Sequence, residues 1–200
     1  MLTNPRAILR FWILLYVLAT LIIYLRGQLL YDYMVYVVMF ALLLRFYRYV
    51  PAFSAWTLGL GTLWHAAGVF PFQVSGETVT LYSHYSQYDL FTHFCGFLML
   101  TLGILHIYVS NHKRTRADIV ILLVAVIGLG AVMEISEYLG YRFFGYGEGW
   151  IRFGDGDNSA NFGPWGDSMT DSIANVAGVI LGCALYFCVH CQRFICKNQS

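Results

Sequence analysis

Polar side chains with metal-ligand or proton-carrier chemistry occur at helical spacing inside otherwise apolar stretches of this 200-residue chain. Asp89 and His93 are four residues apart, which places both on one face of a helix and about one turn from each other. Glu134 and Glu137, three residues apart, share a face of a later helix in the same way. Carboxylates combined with an imidazole are typical ligands of a divalent metal ion.

A third polar stripe follows near the C-terminal end of the chain. Asp167, Asp171 and Asn175 repeat every four residues and therefore lie along one side of a helix. Together the three stripes contain five carboxylates and one histidine, so negative charge is in excess. In a low-dielectric environment such groups must be protonated, paired with cations or bound to a metal ion.

The composition indicates the elements that position these residues. Hydrophobic residues make up 58% of the chain and charged residues only 12%, whereas charged residues are about 25% of a soluble domain. Since a membrane span needs about 20 mostly apolar residues, we expect a single membrane domain over 1–200 and an all-α, polytopic transmembrane bundle of about six spans. The expected helices cover residues 8–25, 29–44, 50–70, 89–109, 118–139 and 167–189.

The basic residues predict how the spans are oriented. Of the twelve lysines and arginines, nine fall on the side of the bundle that holds both termini, and Arg26, Arg142 and Arg152 fall on the other. The positive-inside rule therefore predicts cytoplasmic N and C termini and a multi-pass protein of the cell inner membrane. All three polar stripes then start at the extracytoplasmic face. The scattered basic residues and a net charge of +1 give no sign of a nucleic-acid partner.

Three interpretations of the polar stripes are open at this stage. In the first, a divalent metal ion is the cofactor, and its ligands come from the set Asp89, His93, Glu134, Asp167 and Asp171. Glu134 would also act as a general base and Asn175 would orient a ligand. In the second, the same groups form a proton or ion pathway. In the third, Arg142 and Arg152 neutralise them in a structural network. The residue types suit Mg²⁺, Mn²⁺ or Zn²⁺ without distinguishing them.

Several features outside the stripes are weaker candidates. His65 could join the site or lie at the membrane interface, His84 could be an outer ligand, and His106 is expected at the cytoplasmic surface. The loop 140–166 is rich in glycine and aromatic residues, which favour the headgroup layer. It is expected either to cover the site as a lid or only to anchor the protein.

The short motifs around the stripes resemble a known group of membrane proteins. The segment 89–94 (DLFTHF), then Glu134, then the segment 171–178 (DSIANVAG) look like the D-x3-H-F, acidic and D-x3-N-x2-G elements of VanZ-like proteins and of the related YjdF-like inner-membrane proteins. The resemblance covers about residues 88–185. It implies a role in the cell envelope and importance for Asp89, His93, Glu134, Asp171 and Asn175.

Three functional hypotheses follow. The first is a metal-dependent hydrolase or transferase that acts on a lipid or lipid-linked substrate at the outer leaflet of the bilayer. The second is a proton- or cation-coupled transporter, which requires a polar path to the cytoplasmic side. The third is a non-catalytic membrane scaffold. The inner halves of the last three predicted spans, such as residues 119–126 and 179–185, are nearly all apolar, and a cavity that ends blindly favours the first hypothesis. The sequence predicts no oligomeric state.

Overall fold

A computed structural model describes most of the chain. It covers residues 3–26, 31–85, 87–112, 115–144, 148–150, 153–155 and 163–197. Within these ranges, only the backbone is described for residues 31, 32, 141, 144, 148–150, 153–155, 163, 164 and 190–197. Arg152 and most aromatic positions of the loop 140–166 therefore lie outside the described side chains, and the prediction of a lid falls there. Phe143 and Trp165, at its two ends, are exposed.

The protein is an all-α helix bundle, as the composition predicts, and each of the six predicted helices overlaps a helix of the structure. A four-residue helix, Leu81–His84 (α4), lies between the third and fourth of them. Among the described residues, the six long helices are Pro5–Leu25 (α1), Tyr31–Arg45 (α2), Ala52–Val69 (α3), Tyr88–Asn111 (α5), Arg116–Phe144 (α6) and Gly163–Lys197 (α7). A single 3₁₀ turn, Tyr47–Tyr49, follows α2.

Four of the described helices, α1, α5, α6 and α7, are long and apolar enough to cross a membrane by length and composition. The apolar part of α2, Tyr33–Arg45, is shorter than a typical span. The 18-residue α3 contains many small or weakly polar residues, which are buried against other helices. A helix that is shielded by its neighbours need not be as apolar as a lipid-facing one. Helices α2 and α3 can therefore still cross the membrane, and their crossing stays a prediction.

Aromatic side chains hold the first three helices together. Trp12 and Tyr16 lie one turn apart on α1, and Trp12 stacks on Phe40 of α2 with 6.2 Å between ring centroids. Gly59 of α3 makes room for the indole, since a β-carbon there would overlap the Trp12 ring. The Tyr16 hydroxyl shares a 2.7 Å hydrogen bond with the hydroxyl of Thr62 on α3. A large apolar cluster therefore fills this part of the bundle.

In the part of the chain that the structure describes, two short antiparallel hairpins connect long helices. The first pairs Phe72–Val74 (β1) with Glu77–Val79 (β2) between α3 and α4. Its two turn residues, Ser75 and Gly76, have φ values of 51° and 89°, as a two-residue type I′ turn requires. The second pairs Glu148–Trp150 (β3) with Phe153–Asp155 (β4) between α6 and α7.

Candidate functional site

The last three long helices bring their polar stripes to one end of the bundle. Contacts His93–Asn175 and His106–Tyr186 show that α5 and α7 run in the same direction. The helix between them, α6, runs the opposite way, because Glu134 lies beside His93 while Gly130, one turn earlier, lies beside Phe97. The start of α5, the end of α6 and the start of α7 therefore meet.

His93 stands at the centre of this meeting point and is buried. Its Nε2 atom lies 3.3 Å from Oδ1 of Asp89, one turn earlier on α5. Its Nδ1 atom lies 3.2 Å from Oε1 of Glu134 on α6. Each ring nitrogen thus faces a different carboxylate, and the imidazole joins the outer and the inner part of the cluster.

Asn175 of α7 ties Glu134 and His93 to each other. Its side-chain Nδ2 donates a 2.9 Å hydrogen bond to Oε1 of Glu134, and its Oδ1 lies 3.1 Å from Nδ1 of His93. All three side chains are buried. Three residues from three helices therefore form a closed polar contact that fixes the imidazole plane and the Glu134 carboxylate.

The possible metal ligands form two overlapping groups among the described residues. The outer group is Asp89, His93 and Asp171, and the inner group is His93, Glu134 and Glu137. Within each group, one ligand atom from every residue lies within 4.8 Å of the others. The Asp89 side chain is 37% exposed, whereas Asp171 and Glu134 are only 3% and 2% exposed. Asp89 is therefore the most accessible of these three carboxylates.

Two carboxylates of the predicted stripes differ in whether they join a ligand group. Asp167, predicted as a ligand, lies one turn before Asp171 on α7, is partly buried, and belongs to neither group of described residues. Glu137 stands in the second polar stripe of the sequence but was not counted among the predicted ligands, and it completes the inner group. Its spacing of three residues from Glu134 was the signal for this position.

Glycines on α7 allow the close approach that brings the stripes together. A β-carbon at Gly178 would overlap the backbone carbonyl oxygen of Phe94 and lie 3.0 Å from the Leu98 nitrogen. A β-carbon at Gly182 would lie 2.8 Å from the Leu98 carbonyl oxygen. Gly178 and Gly182 form a G-x3-G pattern, the spacing that lets membrane helices pack backbone to backbone. This pattern was a readable signal for residues that position the site.

Three further histidines lie elsewhere in the described part of the chain. Nδ1 of His65 on α3 is 2.7 Å from the Tyr36 hydroxyl of α2, so this ring takes part in the contacts between those helices. His84, at the end of α4, is exposed. His106, expected at the surface, is partly buried, and its Nδ1 lies 3.3 Å from the hydroxyl of the buried Tyr186. None of the three joins either ligand group of the described residues.

Comparison with known proteins identifies the family of this chain, and the description of that family names no activity. No curated protein and no solved structure matches the chain. A family profile described as "Predicted membrane protein (DUF2238)" matches residues 6–192. This match spans the whole bundle from the first turn of α1 to the last part of α7, including every residue of the polar cluster. The chain belongs to the DUF2238 family of predicted membrane proteins.

Proposed function

We propose that this protein uses the polar cluster as a divalent metal site and acts as a hydrolase or transferase on a lipid or lipid-linked substrate. The observation that carries the proposal is the outer group: Asp89, His93 and Asp171 each offer a ligand atom, and these atoms lie within 4.8 Å of one another. They sit at the ends of helices that are long and apolar enough to span a membrane. Ionisable groups in such helices are expensive and usually serve a function.

The donor set fits a small divalent ion. Metal–nitrogen and metal–oxygen bonds of about 2.1 Å put two ligand atoms of a tetrahedral site roughly 3.4 Å apart. The ligand atoms of the outer group lie within 4.8 Å of one another, so side-chain movements of about 1 Å would bring them to a metal ion. Two carboxylates with one imidazole suit Zn²⁺, Mn²⁺ or Mg²⁺. Three protein ligands also leave a coordination position open, as catalytic sites require.

The second nitrogen of His93 supports the outer group over the inner one. A histidine that binds a metal commonly donates its other N–H to a carboxylate, which fixes the ring and its tautomer. With Nε2 turned to the outer group, Nδ1 would donate to Oε1 of Glu134, 3.2 Å away. The side-chain amide of Asn175 donates to that same oxygen. Glu134 and Asn175 then serve as positioning residues for the imidazole.

The chemistry divides between the ion and the protein. Asp89, His93 and Asp171 would hold the divalent ion, which would supply activation of a water molecule and polarisation of a phosphoryl or carbonyl oxygen. The chain itself supplies the half-exposed Asp89 as the entrance and a buried network that keeps further water from the ion. Glu134 has two candidate roles, positioning residue and general base, and one substitution separates them. Glu134→Gln lowers metal affinity in the first role, whereas in the second it keeps the metal and abolishes turnover.

Metal content of the purified protein tests the proposal. Wild-type protein in detergent should retain about one divalent ion per chain after gel filtration, by inductively coupled plasma mass spectrometry. Asp171→Asn should lose the ion, while Asp118→Asn should retain it. Asp118 is a matched control because it is a partly exposed aspartate near the other end of α6, and an asparagine there keeps the oxygen that accepts from Thr115. Metal-free wild-type protein, even after incubation with Zn²⁺, Mn²⁺ and Mg²⁺, would refute the proposal.

The finer assignment is part of the same proposal. Membership of the VanZ-like and YjdF-like proteins, an envelope role and a place in the inner membrane rest on the order of the motifs and on the positive-inside count. What supports them is that Asp89, Glu134 and Asp171, one from each motif, come to a single cluster. A reporter fused after residue 147 should report the extracytoplasmic side, and a cytoplasmic signal would contradict this orientation.

Ion-coupled transport is the second candidate, because polar side chains also occur deeper between α5 and α7. His106 and Tyr186 form a pair thirteen residues below His93 on α5, about 20 Å away at 1.5 Å per residue. Between them, the Thr101 hydroxyl donates to the backbone of Phe97, and buried Leu105 and Val179 fill the interior. This apolar interval favours the enzyme. Cation or proton flux into liposomes that Glu134→Gln abolishes would reverse the ranking.

A further inference from the structure

An apolar groove runs along the outside of the bundle between α5 and α7, beside the polar cluster. Its volume is about 460 Å³. Leu90, Phe91 and Phe94 of α5 form one wall, and Ile173, Ala174 and Ala177 of α7 form the other. Leu90, Phe91 and Ile173 are exposed large apolar residues, so the groove is open along its length to whatever surrounds the bundle. At the level of the candidate spans, those surroundings are lipid.

The groove and the polar cluster begin at the same end of the same two helices. Gln87 and Thr170 close the groove there. Leu90 directly follows Asp89, and Thr170 directly precedes Asp171. Because successive helical residues are about 100° apart around the axis, the groove and the outer group occupy neighbouring faces of both helices. A chain lying in the groove would end beside the half-exposed Asp89 carboxylate.

The membrane limits what can fill such a groove. Lipid tails are as apolar as the groove walls, so no hydrophobic force selects one occupant in the bilayer. Contacts with a chain that fits the walls still give dispersion energy that an empty groove forfeits. Selection must therefore come from the polar end of the occupant, where the metal ligands lie. This division suits a molecule with an acyl chain and a polar headgroup.

We infer that the groove between α5 and α7 holds one acyl chain of a membrane phospholipid and so places the headgroup at Asp89, His93 and Asp171. This inference rests on the proposed function, because it names the substrate class of that same site. It assigns Phe91 and Ala177 to chain binding and gives no chemical step to either. The walls set the position of the chain along the helices, and the cluster acts on the polar end.

Photolabelling of the protein in lipid vesicles tests the inference. Vesicles of phosphatidylethanolamine and phosphatidylglycerol would carry a phosphatidylglycerol analogue with a diazirine in the half of one acyl chain nearer the headgroup, because the groove is only about 10 Å long at 1.5 Å per residue. After illumination, peptides covering residues 87–94 and 170–177 should carry more label than the exposed face of α6 around Val124 and Val132. Ala177→Phe fills the groove from an exposed position and should lower this labelling several-fold.

Ala131→Phe is the matched control, because it makes the same change at an exposed alanine of α6 that does not line the groove. It should leave the labelling of 87–94 and 170–177 unchanged. Equal labelling of the groove and of α6, or groove labelling that Ala177→Phe does not lower, would overturn the inference. So would crosslinking that shows a second copy of the chain seated in the groove.

Metal analysis of the same samples separates this inference from the proposed function. Ala177→Phe should keep the metal content of the wild type, which also shows that the bundle has folded. Metal-loaded protein without selective labelling refutes the groove assignment and leaves the metal site standing. Selective labelling of protein that binds no metal supports the acyl chain in the groove and refutes the metal chemistry instead.

Discussion

The N-terminal helices α1–α3 and the C-terminal helices α5–α7 fill their interiors in opposite ways. The first region buries aromatic and aliphatic side chains such as Trp12, Tyr16 and Phe40. The second has a much smaller buried apolar cluster, Phe97, Val126 and Val179. At the end of that region, the buried side chains are instead charged or polar, and they include His93, Glu134, Asp171 and Asn175. Helices α1–α3 thus form a packing region filled by apolar side chains, whereas α5–α7 bury ionisable groups.

The two regions need different physical support. Burial of apolar side chains within a bilayer contributes little hydrophobic free energy, because lipid tails are equally apolar. The large rings in α1–α3 therefore stabilise the fold through close contact and dispersion. In α5–α7, ionisable side chains occupy the space that such rings would fill, and each must be compensated by a partner. Gly178 and Gly182 replace the missing side-chain contacts by bringing the backbones of α5 and α7 together. Substitutions in the two regions should therefore affect stability and metal binding differently.

Gly178→Leu should have the largest effect, because its side chain would force α7 away from the Phe94 backbone. We expect a loss of about 3 kcal/mol or more in unfolding free energy, at the upper end of the cost of overpacking, together with loss of bound metal. Unfolding in mixed detergent, followed by circular dichroism, measures the first and metal analysis the second. Gly128→Leu on α6, where a β-carbon has no neighbour within 4 Å, is the matched control and should change neither.

Trp12→Ala should destabilise the protein almost as much while leaving metal binding unchanged. Removing a buried indole costs about 3 kcal/mol through the cavity it leaves, and Trp12 is 2% exposed. The same unfolding assay measures this loss, and Leu14→Ala, at an exposed position on the same helix, should cost little. A Trp12→Ala protein that folds but has lost its metal would show that the two regions are coupled rather than separate.

Asn175→Ala should have the opposite effect to Trp12→Ala, namely a modest loss of stability and a clear loss of bound metal. It removes the hydrogen bond to Glu134 and the contact with His93, for about 1–2 kcal/mol. Metal affinity should fall roughly 10- to 100-fold, as when an outer partner of a ligating histidine is removed. Competition with a fluorescent chelator measures the affinity. Unchanged affinity in a folded variant would exclude Asn175 as a positioning residue.

Tyr16→Phe should have the smallest effect on stability, and that effect should be limited to the packing region α1–α3. The substitution keeps the ring and deletes only the hydroxyl that bonds Thr62, which costs about 1 kcal/mol. Tyr24→Phe, at an exposed tyrosine of the same helix, should be neutral. Both variants should keep wild-type metal content. A change in metal content for Tyr16→Phe would argue against the division between the two regions.

Helix positions and shared faces could be predicted because they depend on local spacing. The run of apolar residues predicted α5 over 89–109, and the structure has it at Tyr88–Asn111. The four-residue spacing of Asp89 and His93 predicted that the two side chains share a helix face. In the structure, Nε2 of His93 lies 3.3 Å from Oδ1 of Asp89. The short hairpins and α4 were not predicted, since they occupy connections in which no apolar period is present.

Contacts between helices could not be predicted in the same way. Asp167 and Glu137 fall on stripes of equal quality in the sequence, yet only Glu137 joins a ligand group among the described residues. The reason is how far each helix is shifted along its axis and rotated relative to His93. For α7, that position depends on the close approach of Gly178 and Gly182 to α5. His106 likewise became partly buried because Tyr186 of α7 reaches it.

The sequence by itself determined that this is an all-α membrane protein with acidic and histidine side chains on the helices that became α5, α6 and α7. Both conclusions follow from residue type and from a period of 3.6 residues, which are properties of a single helix. Only the tertiary structure decided that each nitrogen of His93 meets a different carboxylate and that the Asp89 side chain is partly exposed while Glu134 is buried. Those relations depend on distances between helices, which are set by packing along their whole length.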